Sequence, residues 1–393
     1  MRKLIVMKIL IAVLLFLPTL GLSQAFNFNQ GGPTTKNYYE EIPYETINGK
    51  IIVEGTIAGK KHRFLFDTGA PVAISKELAA ELNIRTISKA LISDAVLHTD
   101  SVNIVEVNDI SLGGLTFKNI PAITLFPDLY KCYNIDGVIG SNLMRNSIVS
   151  IISAKHLIIL TDQKNKLSLK SKNSAPLISN KGLQSDPQIR INLKNKLDLI
   201  IPFDTGDNNF LRLNDKTIAD LKQYQLFDTL DTGYGASGLG AMGLQRAGNK
   251  HLLKVAFLTV GSAKLNNLIT ESNPDAIPAI GAKLLNYGAV TLDFINGRFY
   301  FDAYAPVTEL GETQWPFKQT FANSKLIVGV VWKKAKDLLN PGEQILAVDE
   351  VDYSHVTLCE MANNKSILEG KETAVLTIKD AQGNIRKVTV NKE

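Results

Sequence analysis

From about Glu45 onward the chain alternates short apolar runs with polar breaks. Ile51-Ile52-Val53-Glu54-Gly55-Thr56-Ile57 is followed by Arg63-Phe64-Leu65-Phe66, and comparable runs separated by Gly, Asn, Asp and Lys recur to about residue 304. Runs of this length, rich in β-branched and aromatic residues, predict strands. Helical spacing is confined to short pieces, Ser75 to Leu82 and Asp215 to Leu221. The expected fold is therefore mainly β. Beyond Pro306 the pattern changes. Leu326 to Val331 reads as a strand, Ala335 to Leu339 as a short helix, Pro341-Gly342 as a turn, and Gln344 to Asp349 as a strand. A further helix and the strand Ala374 to Ile378 follow. This predicts a small α+β unit over residues 314–393.

An internal repeat organises the long β region. Ile139-Gly140, Leu143-Met144 and Ile148-Val149-Ser150-Ile151 align without a gap on Ile280-Gly281, Leu284-Leu285 and Ala289-Val290-Thr291-Leu292. Upstream, Phe66-Asp67-Thr68-Gly69 matches Phe203-Asp204-Thr205-Gly206. The offset is 137 residues at the aspartates and 141 at the glycines. Two motifs in one order at nearly constant offset indicate a duplicated lobe, with a period too long for a solenoid. The lobes are expected at 45–162 and 176–305, joined by the Lys/Ser/Asn-rich stretch 163–175.

With 393 residues, 45% apolar and 21% charged, the chain suits two or three globular domains. Residues 1–23 read as a signal peptide. Arg2, Lys3 and Lys8 lead into the apolar run Ile9 to Leu17, which Pro18 breaks before the small residues Gly21 and Ser23. Residues 24–44 then read as a linker. Export to a periplasmic or extracellular space is expected, with an uncleaved N-terminal membrane anchor as the alternative. Removing the leader's three cations lowers the net charge from +5 to +2, which gives no reason to expect nucleic acid as a partner. Cys132 and Cys359 have no metal-type spacing and read as small buried apolar side chains, although an exported chain permits a disulfide. The five histidines, His62, His98, His156, His251 and His355, are scattered, so no metal site is expected. No cofactor is expected either.

The duplicated Asp-Thr-Gly carries the chemistry. Phe64-Leu65-Phe66 and Leu199-Ile200-Ile201-Pro202-Phe203 would each deliver an aspartate from a buried strand into a turn. Gly69 and Gly206 permit the tight turn, and the hydroxyls of Thr68 and Thr205 can lock two such turns together. Carboxylates brought that close cannot both ionise, so Asp67 and Asp204 would hold one proton between them. One then acts as acid and the other as base on an intervening water.

Paired Asp-Thr-Gly turns, each followed about 70 residues later by Val138-Ile139-Gly140 or Ala279-Ile280-Gly281, resemble the pepsin and retropepsin superfamily of aspartic proteases. The resemblance covers roughly residues 45–305. It implies a bilobal acid-protease fold of two duplicated β lobes, a peptide or protein substrate, and a monomer that completes its own site. Asp67-Thr68-Gly69-Ala70 fits the pattern, whereas Asp207 stands where a small residue is usual. The competing reading is an inactive peptide-binding protein on the same scaffold.

A third triplet, Asp231-Thr232-Gly233, follows no buried run and lies only 48 residues before Gly281, so it reads as a loop. Gly233 to Gly238 matches a dinucleotide fingerprint by letter but lacks both the preceding strand and the later acid. The repeat instead makes Gly233 to Gly243 equivalent to Ser93 to Asn103, where the superfamily places flap hairpins. His98, Tyr234 and Gly235 are the candidate substrate contacts there. The tail is similar to a PDZ domain, best over Gly342 to Asp349, which implies an extended peptide ligand added as a strand. Its usual carboxylate-binding Gly-Leu-Gly-Phe turn is replaced by Trp315-Pro316-Phe317.

Overall fold

The computed structural model describes residues 26–125, 127–179 and 184–393. The leader expected at 1–23, and with it the alternative of an N-terminal anchor, lies outside the described residues. Among those residues no helix is long and apolar enough to cross a membrane.

The chain is mainly β. Its frame is an antiparallel six-stranded sheet running Tyr39–Ile47, Leu157–Thr161, Ile148–Ile152, Gly288–Asp293, Arg298–Ala303 and Ser174–Ser179. The two central strands are the segments that repeat in the sequence. In their register Ser150 lies opposite Thr291, and Thr291 Oγ1 donates to Ser150 Oγ at 2.9 Å. Ser150 and Thr291, which align with each other in sequence, also face each other in space, and the pairs on either side are exchanged as a two-fold axis between them requires. The strand Tyr39–Ile47 falls partly in the stretch 24–44, which the sequence suggested was a linker. Gly32–Pro33 also pairs there, with Leu115–Thr124. The polar letters of 24–44 therefore hide edge strands, whose partners lie far along the chain.

The rest of each half follows the same plan. Lys50–Ile57 hairpins with Lys60–Asp67, and Pro187–Leu193 hairpins with Leu197–Asp204. Each aspartate-bearing strand then pairs in parallel with its apolar-apolar-Gly strand, placing Asp67 beside Gly140 and Asp204 beside Gly281. Phe64, Phe66, Ile139, Phe203, Ile280 and Leu292 are buried in one shared core. The short helices form as their spacing predicts. Ser75 caps Lys76–Glu81, and Asn214 caps Asp215–Leu221, each accepting from a backbone N–H of the first turn.

The C-terminal unit has its own core, built on Phe317, Leu326, Val328, Ile345, Leu376 and Ile378. It is joined firmly to both halves. Its strand Lys325–Trp332 pairs with Asp228–Gly235, placing Gly233 opposite Trp332 and Gly235 opposite Val330. The triplet Asp231-Thr232-Gly233 is thus a strand segment, not the expected loop. On the other side its helix Leu358–Asn363 packs on the helix Asp128–Cys132, and Cys132 is disulfide-bonded to Cys359. The expectation of two separate buried thiols fails because this packing brings positions 227 residues apart to a Cα–Cα distance of 4.6 Å. No local pattern encodes such a meeting.

Replacing both cysteines, as Cys132→Ala with Cys359→Ala, should lower the unfolding free energy by about 2–5 kcal/mol. The C-terminal unit should then become the first segment cut in limited proteolysis. Urea unfolding curves with and without reductant check this directly.

Candidate active site

Strand ends and turns bring the two Asp-Thr-Gly segments face to face. The Thr68 N–H donates to Thr205 Oγ1 at 3.0 Å, and the Thr205 N–H donates to Thr68 Oγ1 at 3.0 Å. Each hydroxyl in turn donates to the backbone before the opposite aspartate, Thr68 to Phe203 O at 2.6 Å and Thr205 to Phe66 O at 2.8 Å. Both threonines have no exposed surface. This closed ring of four hydrogen bonds satisfies every polar atom it buries.

Above the ring lie the carboxyl groups. Asp67 Oδ1 accepts from the Gly69 N–H at 2.8 Å, and Asp204 Oδ1 accepts from the Gly206 N–H at 2.9 Å. The glycines are needed for close approach. A Cβ on Gly69 would stand 2.5 Å from Asp204 Cγ, and one on Gly206 would stand 2.2 Å from Asp67 Oδ2. Each glycine thus supports the carboxylate of the opposite half.

The two carboxyls are thus held close together, each against the glycine of the opposite turn. Burial, and then the charge of Asp204, push Asp67 from its ordinary value of 3.8 up to about 7, against the Gly69 N–H and Lys50. Asp204 is raised as well, first by burial and then by Asp207, while Arg212 and Lys50 oppose. Both acids are raised, so the pair holds its proton in common.

Asp207, the residue that departs from the family pattern, does not face the pair unpaired. Its Oδ2 lies 2.8 Å from Arg212 Nη1, and Arg212 Nη2 lies 3.4 Å from Asp204 Oδ2. Arg212 also donates from Nε to Ile277 O at 2.7 Å and is 9% exposed. Lys50 donates from Nζ to Gly206 O, and Gln184 donates from Nε2 to Gly69 O at 2.8 Å. Tyr130, on the helix Asp128–Cys132, is near enough that both aspartates, after burial, hold its phenol neutral.

Lys50, Arg212, Gln184 and Tyr130 were not singled out from the sequence. Two carried a signal. Asn48-Gly49 is a tight-turn dipeptide that fixes where Lys50 begins its strand, and Arg212 is a lone cation inside the run Phe210 to Leu213.

The flap candidates divide. The hairpin of Thr86–Ser93 and Thr99–Leu112 carries His98 at its tip. There Asp94 Oδ1 accepts from the N–H groups of Val96 and His98 at 3.0 and 2.9 Å. Its Oδ2 accepts from the Met242 N–H of the other half at 2.9 Å. The first flap tip thus rests on the glycine-rich loop of the second half. His98 is brought to that contact, with Nδ1 3.8 Å from Asp94 Oδ2. Tyr234 and Gly235 are not brought to the aspartates by any contact described; their backbone pairs with Val331 and Val330. Gly235, at φ 133°, leaves no room for a Cβ, which would lie 2.0 Å from Gly329 O. Among the described residues no cluster of His, Cys, Asp and Glu is arranged to hold a metal ion.

Residues 53–143, which contain Asp67 and the first apolar-apolar-Gly strand, match the aspartyl protease family. No curated protein matches the chain. Among solved structures it is similar to the basic 7S globulin of soybean, at 14% identity and a TM-score of 0.40, over 67% of this chain and 94% of that one. It is similar to conglutin gamma, a basic 7S globulin from lupine seeds, at 11% identity and a TM-score of 0.40, over 69% and 96% of the two chains. A retropepsin-like aspartic protease from Rickettsia conorii is 22% identical with a TM-score of 0.25, over 31% of this chain and 91% of that one.

Two outcomes are expected. Thr68→Val or Thr205→Val strands buried partners in the opposite turn and should each cost about 1–3 kcal/mol in urea unfolding. The double variant should cost less than the sum, because both belong to one network. The second outcome concerns pH. A carboxyl raised in the folded state binds its proton more tightly there than when unfolded. Its contribution to stability is therefore complete below about 4 and is lost as pH rises to about 7. Asp67→Asn, which cannot ionise, should match the native chain in stability below that window and exceed it above. Thermal melts across pH check the sign.

Proposed function

We propose that the chain is an aspartic endopeptidase in which Asp67 and Asp204 share one proton and activate a water against a peptide carbonyl. The observation that carries this reading is the ring of threonine hydrogen bonds, which holds two largely buried carboxyls close together. Such a pair has no purely structural advantage. Burying two acids together costs stability, and a site that tolerates the cost is a candidate for chemistry.

In this reading Asp204, flanked by Arg212, is the anion that takes a proton from water. Asp67, carrying the shared proton, donates it to the carbonyl oxygen as the water attacks. Proton count is conserved: one proton enters the pair at Asp204 as another leaves Asp67. The tetrahedral intermediate collapses as Asp204 passes its proton to the amide nitrogen, Asp67 takes one back from a hydroxyl, and the C–N bond breaks. Asp207 bears on Asp204, and Arg212, which reaches both, answers part of its charge.

The substrate is a peptide or protein segment in extended form, lying across the carboxyls beneath the first flap. Thr68, Gly69, Thr205 and Gly206 support the catalytic turns, and His98 contacts substrate through the flap. The C-terminal unit acts as a PDZ-like module. Its strand Phe317–Ala322 pairs on one side with Lys325–Trp332, which supports a peptide ligand on its other edge. The chain works as an exported monomer without a cofactor.

Digestion of unfolded casein between pH 3 and 8 tests the proposal, with Asp67→Asn and Asp204→Asn assayed separately. Each variant should lose activity by a factor of about 10³ or more, because neither carboxyl can serve as both acid and base. Full activity in either variant overturns the assignment. A native chain that binds peptide at every pH and cuts none would be a binding protein on this scaffold.

A further inference from the structure

The Lys50 ammonium sits on the carbonyl of Gly206, in the same turn whose N–H holds the Asp204 carboxylate. Its place is not left to a flexible surface side chain. Lys50 follows the two-residue turn Asn48-Gly49, with φ of 44° and 80°, and opens the strand Lys50–Ile57. That turn is held from two sides. Asn208 Nδ2 donates to Asn48 O at 2.7 Å, and Asn48 Nδ2 donates to Ala362 O of the C-terminal helix at 3.0 Å.

The mirror contact lies on the other half, where Gln184 Nε2 reaches Gly69 O at 2.8 Å. From each half, then, a side chain near its first hairpin crosses to the glycine carbonyl of the opposite catalytic turn. The backbone arrangement is two-fold, but the crossing groups are a cation on the Asp204 side and a neutral amide on the Asp67 side. Arg212 adds a second cation on the Asp204 side.

The charged and titratable groups around Lys50 can be named from each packed element. Asp67 and Asp204 form the pair, and Asp207 is matched by Arg212 at 2.8 Å. Tyr130 stays neutral on its helix. Asp94, in the first flap, is held by backbone N–H groups beside His98. With Asp207 set against Arg212 and Asp94 held by backbone N–H groups, Lys50 is the further cation at the turn that carries Asp204. Lys50 acts on both aspartates through space.

We propose that Lys50 is the counter-ion of the aspartate pair, a positioning residue clamped on Gly206 that keeps one carboxylate of the pair ionised. This rests on the reading of Asp67 and Asp204 as a working acid pair, and it adds the element that breaks the two-fold symmetry. A nearby cation favours the ionised carboxylate, so its removal makes each deprotonation harder.

The test is the pH profile of kcat/KM for casein-derived peptide cleavage by the full chain, with Lys50→Met and Lys50→Arg beside the native protein. Carboxyl ¹³C titration of Asp67 and Asp204 accompanies it in all three. Lys50→Met should move both limbs of the profile, and both carboxyl titrations, upward by about one pH unit. Lys50→Arg should stay close to the native profile. A merely structural lysine would lower activity or melting temperature at every pH without moving the limbs, and that result overturns the proposal. Unchanged carboxyl titrations in Lys50→Met overturn it equally. Should the native chain cleave nothing at any pH, the peptidase reading fails, while the carboxyl titrations still decide the role of Lys50.

Discussion

Two largely buried carboxyl groups held close together impose the constraint that the surrounding structure answers. Left alone they repel, and each loses its hydration, so the fold must hold them from below and compensate them from the side. The reciprocal Thr68 and Thr205 hydrogen bonds do the first. They leave no buried donor or acceptor unsatisfied within the ring, and they fix the aspartates to the ends of two strands in the core. The N–H groups of Gly69 and Gly206 and the cations of Lys50 and Arg212 do the second. Neither set would suffice alone. Geometry without charge compensation would leave both acids protonated, and charge without geometry would let the turns part.

The C-terminal unit belongs to this arrangement more closely than a tail with its own core suggests. It extends the sheet of the second half through Gly233 to Gly235 and is tied to the first half through Cys132. It also fixes the Asn48 turn that presents Lys50. Separation of the two halves would have to break one of these links or carry the unit along. The second flap strand is sealed by Lys325–Trp332, whereas the tip of the first rests on the glycine-rich loop through Asp94 and Met242. The glycines at 233 and 235 fit that account. They admit Trp332 and the Gly329 carbonyl where any side chain would collide.

Much of this was legible in the letters. The spacing of Asp67 and Asp204 within the repeat identified the pair, because a duplicated fold must keep the distance from each aspartate to its apolar-apolar-Gly strand. The mainly β character and the two capped helices followed from periodicity. What escaped were meetings between distant segments. Cys132 with Cys359, Lys50 with Gly206 and Gln184 with Gly69 are each set by how whole sheets pack, and no window of sequence contains both partners. The polar stretch 24–44 failed for a related reason. Edge strands such as Tyr39–Ile47 bury only part of one face, so their composition imitates a linker. Asp231-Thr232-Gly233 failed in the opposite sense, since its turn-forming letters are held extended against Lys250 to Leu252, with Trp332 on the other side of Gly233.

The contrast between backbone and charge is the deeper feature. The two-fold axis between Ser150 and Thr291 governs the frame, the threonine ring and the glycine supports alike. A perfectly symmetric site, however, would give both carboxyls the same proton affinity. Duplication supplies the contact cheaply, because one turn that fits its own copy solves both halves at once. Inequality must then come from residues that the copies no longer share. Asp207 and Arg212 occur on one side only, and the crossing partners have diverged to Lys50 and Gln184. The residue that looked like a defect in the second motif is, with Arg212, part of what makes the two aspartates unequal.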